Sequence, residues 1–179
     1  MQSRSTSPPR TIMELYQMLP EGTLAELING SIYMSPAPSP KHQSVIRELA
    51  FSILSYLREN SNKGELFFAP CDVFLDEQSN AVQPDIIFIS EDNKSIIRQD
   101  AIHGIPNLII EVLSPGNSEH DLITKRMLYE KFGVQEYWVV FPETKETIGF
   151  FLKAGNYLES GRHSHKIHSV LLNNTVFEF

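Results

Sequence analysis

Two nearly continuous apolar runs, at 85–90 and 108–113, constrain this chain more than any other feature. A strand that reads Ile, Leu and Val at successive positions shows apolar side chains on both faces, so both faces have to be covered. The second run is interrupted by one carboxylate, in Leu108-Ile109-Ile110-Glu111-Val112-Leu113. The first opens on another, Asp85, directly after Pro84. A charged carboxylate inside such a strand costs several kcal/mol of desolvation unless a cation or hydrogen bonds compensate it. Brought together on adjacent strands, two carboxylates repel. Mg²⁺ or Mn²⁺, hard ions that favour carboxylate oxygens and keep part of their water, would relieve that repulsion. Such an ion can lower the pKa of a bound water and stabilise charge on a phosphodiester under in-line attack. The bland alternatives are Glu111 as an edge-strand residue paired with an arginine and Asp85 as a turn cap.

The rest of the pattern builds an α/β arrangement (α+β), a mixed β-sheet flanked by helices, around those strands. Thr11 and Glu14 form a capping box for a short helix over 12–19, ended by Pro20 and Gly22. Asn29-Gly30 between two short apolar runs is a hairpin signal, because both turn residues take positive φ. Ser39 as cap and Pro40 in the first turn open a long helix. Its apolar residues, Val45, Leu49, Ile53 and Leu57 beside Ile46, Ala50 and Leu54, repeat at helical spacing, and 60–64 stops it. Strand-like runs follow at 65–70 and 71–75, and again at 136–141, 147–152 and 175–179. Ser118 with Asp121 caps a second helix that ends at Gly133.

On that second helix Leu122, Leu128, Tyr129 and Phe132 form the inward stripe, and Lys125 falls at its centre. A lysine facing inward needs an anionic partner, and the Asp85–Glu111 pair is the expected one. Snorkelling past the stripe to water is its bland reading.

Composition sets limits on partners. The length of 179 residues suits one domain, 11–179, behind a flexible polar tail at 1–10 that does not resemble a secretory signal. A net charge of −7 argues against a simple electrostatic nucleic-acid binder, so any DNA contact has to be local and helped by divalent metal. No apolar run approaches the roughly 20 residues that cross a bilayer, so no membrane partner is expected. The single Cys71 can form no internal disulfide, which fits a cytoplasmic location. His163, His165 and His168 superficially suggest zinc, but alternation puts 163 and 165 on one strand face and 168 on the other, and solvated strand and loop histidines are the better reading.

Several segments together resemble the Uma family of putative restriction endonucleases, within the PD-(D/E)XK nuclease superfamily. These are Pro84-Asp85 with its apolar run, 106–115 around Glu111, Asp121 to Lys125 with Tyr129, and 133–138 with Glu136, Tyr137 and Trp138. Glu26 to Gly30, 34–38 and His42 extend the match to nearly the whole of 11–179. The resemblance implies a restriction-endonuclease-like core and a Mg²⁺- or Mn²⁺-dependent endonuclease acting on DNA. Asp85, Glu111 and the Val112 carbonyl would hold the metal, and Lys125 would assist the nucleophile or neutralise the pentavalent phosphate. It places Glu26 as an added metal ligand and His42 as a phosphate contact or proton carrier, although His42 reads equally as a polar first-turn residue. The superfamily's E-x-K element would put lysine at 113, where this chain has Leu113, so Lys125 is its replacement from the following helix. Cutting both strands of a duplex takes two centres, which makes a homodimer the expectation. The competing reading is a catalytically inactive binding or assembly module that retains the nuclease fold.

Overall fold

The computed structural model describes residues 8–114 and 120–179. In chain order its described elements are helix α1 (Ile12–Gln17), strands β1 (Ala25–Ile28) and β2 (Ser31–Met34), and helix α2 (Pro40–Glu59). Strands β3 (Glu65–Phe68), β4 (Val73–Phe74), β5 (Ala81–Val82), β6 (Ile86–Ile89), β7 (Ile102–His103) and β8 (Leu108–Val112) follow. Helix α3 (Arg126–Phe132) precedes β9 (Glu136–Val140), β10 (Glu146–Lys153), β11 (Asn156–Ser164), β12 (Lys166–Ser169) and β13 (Thr175–Glu178).

Local chemistry explains the helix starts. Thr11 accepts the Glu14 amide at 3.1 Å, but Glu14 reaches back to the Arg10 amide, 2.6 Å away, one residue earlier than a capping box requires. The helix closes at Gln17, short of the expected 19. Ser39 accepts the His42 amide at 3.2 Å, and Pro40 supplies a preset φ at the first turn of α2. The expected stripe on α2 is buried, except that Leu54 is half-buried. The Asn29-Gly30 turn has φ of 48° and 78°, the paired left-handed values that such a hairpin needs. The expected cap rests on Ser118, which lies outside the described residues. Where the description resumes, residues His120–Lys125 form a wide π-type turn rather than α-helix, and α3 ends as expected at left-handed Gly133.

The expected mixed β-sheet flanked by helices is present as the larger of two main sheets, beside a smaller sheet and a hairpin. A six-stranded sheet runs β11-β10-β9-β8-β6-β3, with β8 and β9 parallel and the other pairs antiparallel. A five-stranded sheet runs β2-β1-β5-β4-β7, so the neighbouring apolar runs at β3 and β4 part into different sheets. Strands β6, β8 and β9 form the centre of the larger sheet and are buried along their whole length.

Alternation sends their side chains to two cores. Ile86, Phe88, Leu108, Ile110, Val112 and Trp138 pack against α2 and the β12–β13 hairpin. Ile87, Ile89, Ile109, Tyr137 and Val139 pack against α3 and the apolar face of the smaller sheet. Each fully buried side chain of this kind is worth about 1.5–3 kcal/mol relative to exposure. Glu111 has the parity of Ile109, so it points into the second core, toward α3.

Candidate functional site

The antiparallel register pairs Ile86 with Ile110, so the next position outward sets Asp85 opposite Glu111 at one end of the larger sheet. Asp85 Oδ2 accepts the Val112 amide at 2.7 Å and lies 3.2 Å from His42 Nε2. His42 Nε2 is also 2.7 Å from the Val112 carbonyl oxygen. A carbonyl can only accept, so that ring nitrogen carries the proton. His42 is therefore buried at the first turn of α2 and ties the helix to both β8 and Asp85.

Glu111 is 3 % exposed. Its Oε1 accepts from Lys125 Nζ at 3.0 Å and from the Tyr129 hydroxyl at 2.7 Å. Lys125 is buried too, which excludes snorkelling, and its ammonium also reaches Glu26 Oε2 at 2.9 Å. The expectation that Lys125 would neutralise an Asp85–Glu111 pair is thus corrected in one respect. The ammonium bridges Glu111 and Glu26, while Asp85 is turned to the Val112 amide and His42. The reason is topological: β1 of the smaller sheet delivers Glu26 to the same cleft.

A second tier holds these groups. Glu26 Oε1 accepts the Gln83 amide at 2.9 Å, and the Gln83 side-chain amide donates to Asp72 Oδ1 at 2.9 Å. The Tyr16 hydroxyl lies 2.8 Å from that same Asp72 oxygen. Burial, with the adjacent Glu111 and Glu26 charges, pushes the Tyr129 hydroxyl well above the usual phenol range, so Tyr129 is a neutral donor. Burial and then Asp72 do the same to Tyr16. Sequence reading missed Tyr129, Gln83 and Asp72 as site residues. Tyr129 carried a signal, standing one turn after Lys125 on the inward stripe with a hydroxyl to satisfy; Gln83 and Asp72 carried none.

Glu26, His42, Asp85, Glu111, Val112 and Lys125 all line one cleft of about 540 Å³. Three carboxylates there face one ammonium and one imidazole, so the cleft stays negative whichever protonation state His42 takes. Leu113, where a superfamily lysine would stand, is buried in the apolar core instead.

The C-terminal histidines do not behave as alternation suggested. Strand β11 ends at Ser164, and His165 turns away with φ of 60°. His163 instead meets His168 of β12, with ring centroids 6.2 Å apart. Burial, followed by the charges of Lys166 and His168, pushes the His163 pKa below its usual value.

Comparison with known proteins adds the family context. The family model Uma2, described as "Putative restriction endonuclease", matches residues 12–173. Among solved structures, the chain is similar to the crystal structure of a putative nuclease belonging to DUF820 from Anabaena variabilis. The two share 20 % sequence identity, with a TM-score of 0.68 over 84 % of each chain, a likeness of fold. No curated protein matches the chain.

Proposed function

The chain belongs to the Uma2 putative restriction endonuclease family, and from that premise we propose that it is a divalent-metal-dependent endonuclease hydrolysing DNA phosphodiester bonds. The observation that carries this reading is Glu111, an almost fully buried carboxylate in a central apolar strand, set opposite Asp85 at the floor of a negative cleft. Burying that charge in the core is unfavourable without compensation, which Lys125 and the Tyr129 hydroxyl supply in the resting site, and a fold that serves packing alone would place an apolar residue there.

The donor set fits Mg²⁺ or Mn²⁺ in kind: Asp85, Glu111 and the Val112 carbonyl offer hard oxygens. Asp85 Oδ1 accepts no hydrogen bond from the described residues, which leaves it open to an ion. Among the described residues no three Asp, Glu, His or Cys side chains close into a ready-made cage. Two carboxylates and a carbonyl leave the other positions to water, the arrangement Mg²⁺ prefers. When bound, the ion would polarise the phosphoryl oxygens and lower the pKa of a coordinated water.

The protein's own groups take the remaining roles. Lys125, a hydrogen bond from Glu111, orients the attacking water and offsets charge on the pentavalent phosphate. Glu26 keeps Lys125 in place from the opposite side. His42 fixes Asp85 and the Val112 carbonyl in mutual orientation. DNA incubated with and without Mg²⁺, beside Glu111→Ala and the isosteric Glu111→Gln, tests the proposal. Mg²⁺-dependent cleavage lost in both variants is expected. Cleavage that survives both, or that never appears across several DNA forms, overturns it.

A further inference from the structure

Above the acidic floor, the cleft is walled by Tyr33, Met34, Pro36, Pro38 and Pro70. The register of β1 with β2 pairs Tyr33 with Glu26, which puts the phenol ring on the same face as the carboxylate that grips Lys125. Tyr33 is 41 % and Met34 66 % exposed, on an outer strand of the smaller sheet. Both are exposed apolar groups at the mouth of a polar cleft, the placement of a binding surface.

The cations are distributed in a way that limits what this surface can hold. Lys125 is the one Lys or Arg among the described cleft-lining residues, and Glu26 and Glu111 already engage it. The cations next to the site in sequence face elsewhere: Lys41 pairs with Glu143, and the Arg126 guanidinium lies over the Phe150 ring at 5.3 Å. Duplex DNA is held by Lys and Arg that neutralise several phosphates on both sides of the cut. The described lining does not offer them to either kind of strand, so binding here has to come from base faces, which only an unpaired nucleotide exposes. The mouth offers an aromatic ring, a thioether and proline rings, the surfaces on which single-stranded bases stack. The volume of about 540 Å³ lies within the range of roughly 300–1,000 Å³ typical of small-molecule sites, room enough for one nucleotide.

We infer that the nucleic acid entering this cleft is unpaired at the reacting nucleotide, its base packed on Tyr33 and Met34 and its phosphate at the Asp85–Glu111 end. The inference rests on the nuclease reading for the phosphate's place, and names the substrate class. An unpaired nucleotide can come from a single strand or be extruded from a duplex, and the same cleft accommodates both.

Fluorescence anisotropy of the full chain in Ca²⁺ tests this with three labelled oligonucleotides: a single strand, its perfect duplex, and the duplex with one bulged nucleotide. The single strand is expected to bind at least about tenfold tighter than the perfect duplex. Equal binding of the bulged duplex adds extrusion as a source, and weak binding of it assigns the site to single strands. Tyr33→Ala combined with Met34→Ser should weaken single-strand binding by about tenfold, within the range of one lost base stack, whereas Tyr33→Phe should retain it. A perfect duplex bound as tightly as the single strand overturns the inference. So does single-strand affinity unchanged in the double variant. Single-strand preference without hydrolysis after exchange into Mg²⁺ upholds it and overturns the nuclease reading alone.

Discussion

The Lys125 ammonium lies 2.9 Å from Glu26 Oε2, and this contact ties the smaller sheet to the strand of the larger one that carries Glu111. It places one cation between two carboxylates that are themselves almost fully buried. Removing the cation leaves both carboxylates without it in the core. Lys125→Met is therefore expected to lower stability by about 3–5 kcal/mol. Adding Glu26→Gln to that variant should cost less than Glu26→Gln does in the wild type, because it removes one of the stranded charges. Denaturant unfolding followed by the single, fully buried Trp138 measures both effects. Strictly additive losses would show that the bridge is not the unit described.

Tyr129 gives a narrower version of the same measurement. Its hydroxyl donates to Glu111 at 2.7 Å, and its ring packs edge-on against Tyr137 with centroids 5.1 Å apart. Tyr129→Phe keeps the ring and deletes the donor, so about 1.5–3 kcal/mol of stability should go with the hydrogen bond to a charged acceptor. Cleavage by this variant should fall as well, since Glu111 then has one anchor fewer on Oε1. A stability change below about 0.5 kcal/mol would mean that the bond contributes nothing net.

How far the sequence discloses this site depends on which forces act at short range. The apolar runs around Asp85 and Glu111 marked the central strands because both faces of β6 and β8 are covered, and burial on both faces leaves a continuous apolar signature. The Asn29-Gly30 hairpin, the Ser39 cap and the Gly133 stop were legible because each is set by two or three adjacent residues. Strand β11 was not legible: all of its residues are half-buried or exposed, and no apolar alternation marks it. Strands β5 and β7 are two residues long and owe their pairing to neighbours far away in the chain. The partner of Lys125 was half-read for the same reason. Helical periodicity turns the lysine inward, but only the packing of one sheet against another brings Glu26 to it.

The turn that anchors the Glu26 strand should be sensitive to acid. Burial works against ionised Asp76, but the Ser79 amide, the Asn80 side chain and the Gln78 and Asn80 amides outweigh it and hold the carboxyl below its ordinary value of 3.8. Asn80 in turn accepts the Asn29 amide at 2.8 Å, at the tip of the β1–β2 hairpin. A folded-state pKa below the unfolded one means that the stabilisation is complete above the unfolded value and is lost as pH falls through the folded one. The stability difference between wild type and Asp76→Asn should therefore be flat from pH 7 down to about 5 and shrink below 3.8. A difference that grows as pH falls would reverse the assigned sign.

Metal binding can be separated from catalysis by titrating the resting protein. Asp85 and Glu111 sit opposite each other in the strand register, and Asp85 is already oriented by the Val112 amide. Calorimetry with Mn²⁺ is expected to show binding that Asp85→Asn and Glu111→Gln each weaken by at least about tenfold, since each removes one anionic oxygen ligand from a hard ion. His163→Ala, at the far histidine pair, should leave the affinity unchanged. An ion at the proposed site would compete with Lys125 for Glu111, so Lys125→Met should bind Mn²⁺ at least as tightly as the wild type while losing about a hundredfold in cleavage. Tighter binding with slower hydrolysis in one variant would place the ion at the carboxylates and the lysine's contribution in the transition state. Unchanged affinity in both carboxylate variants would move the ion away from this cleft.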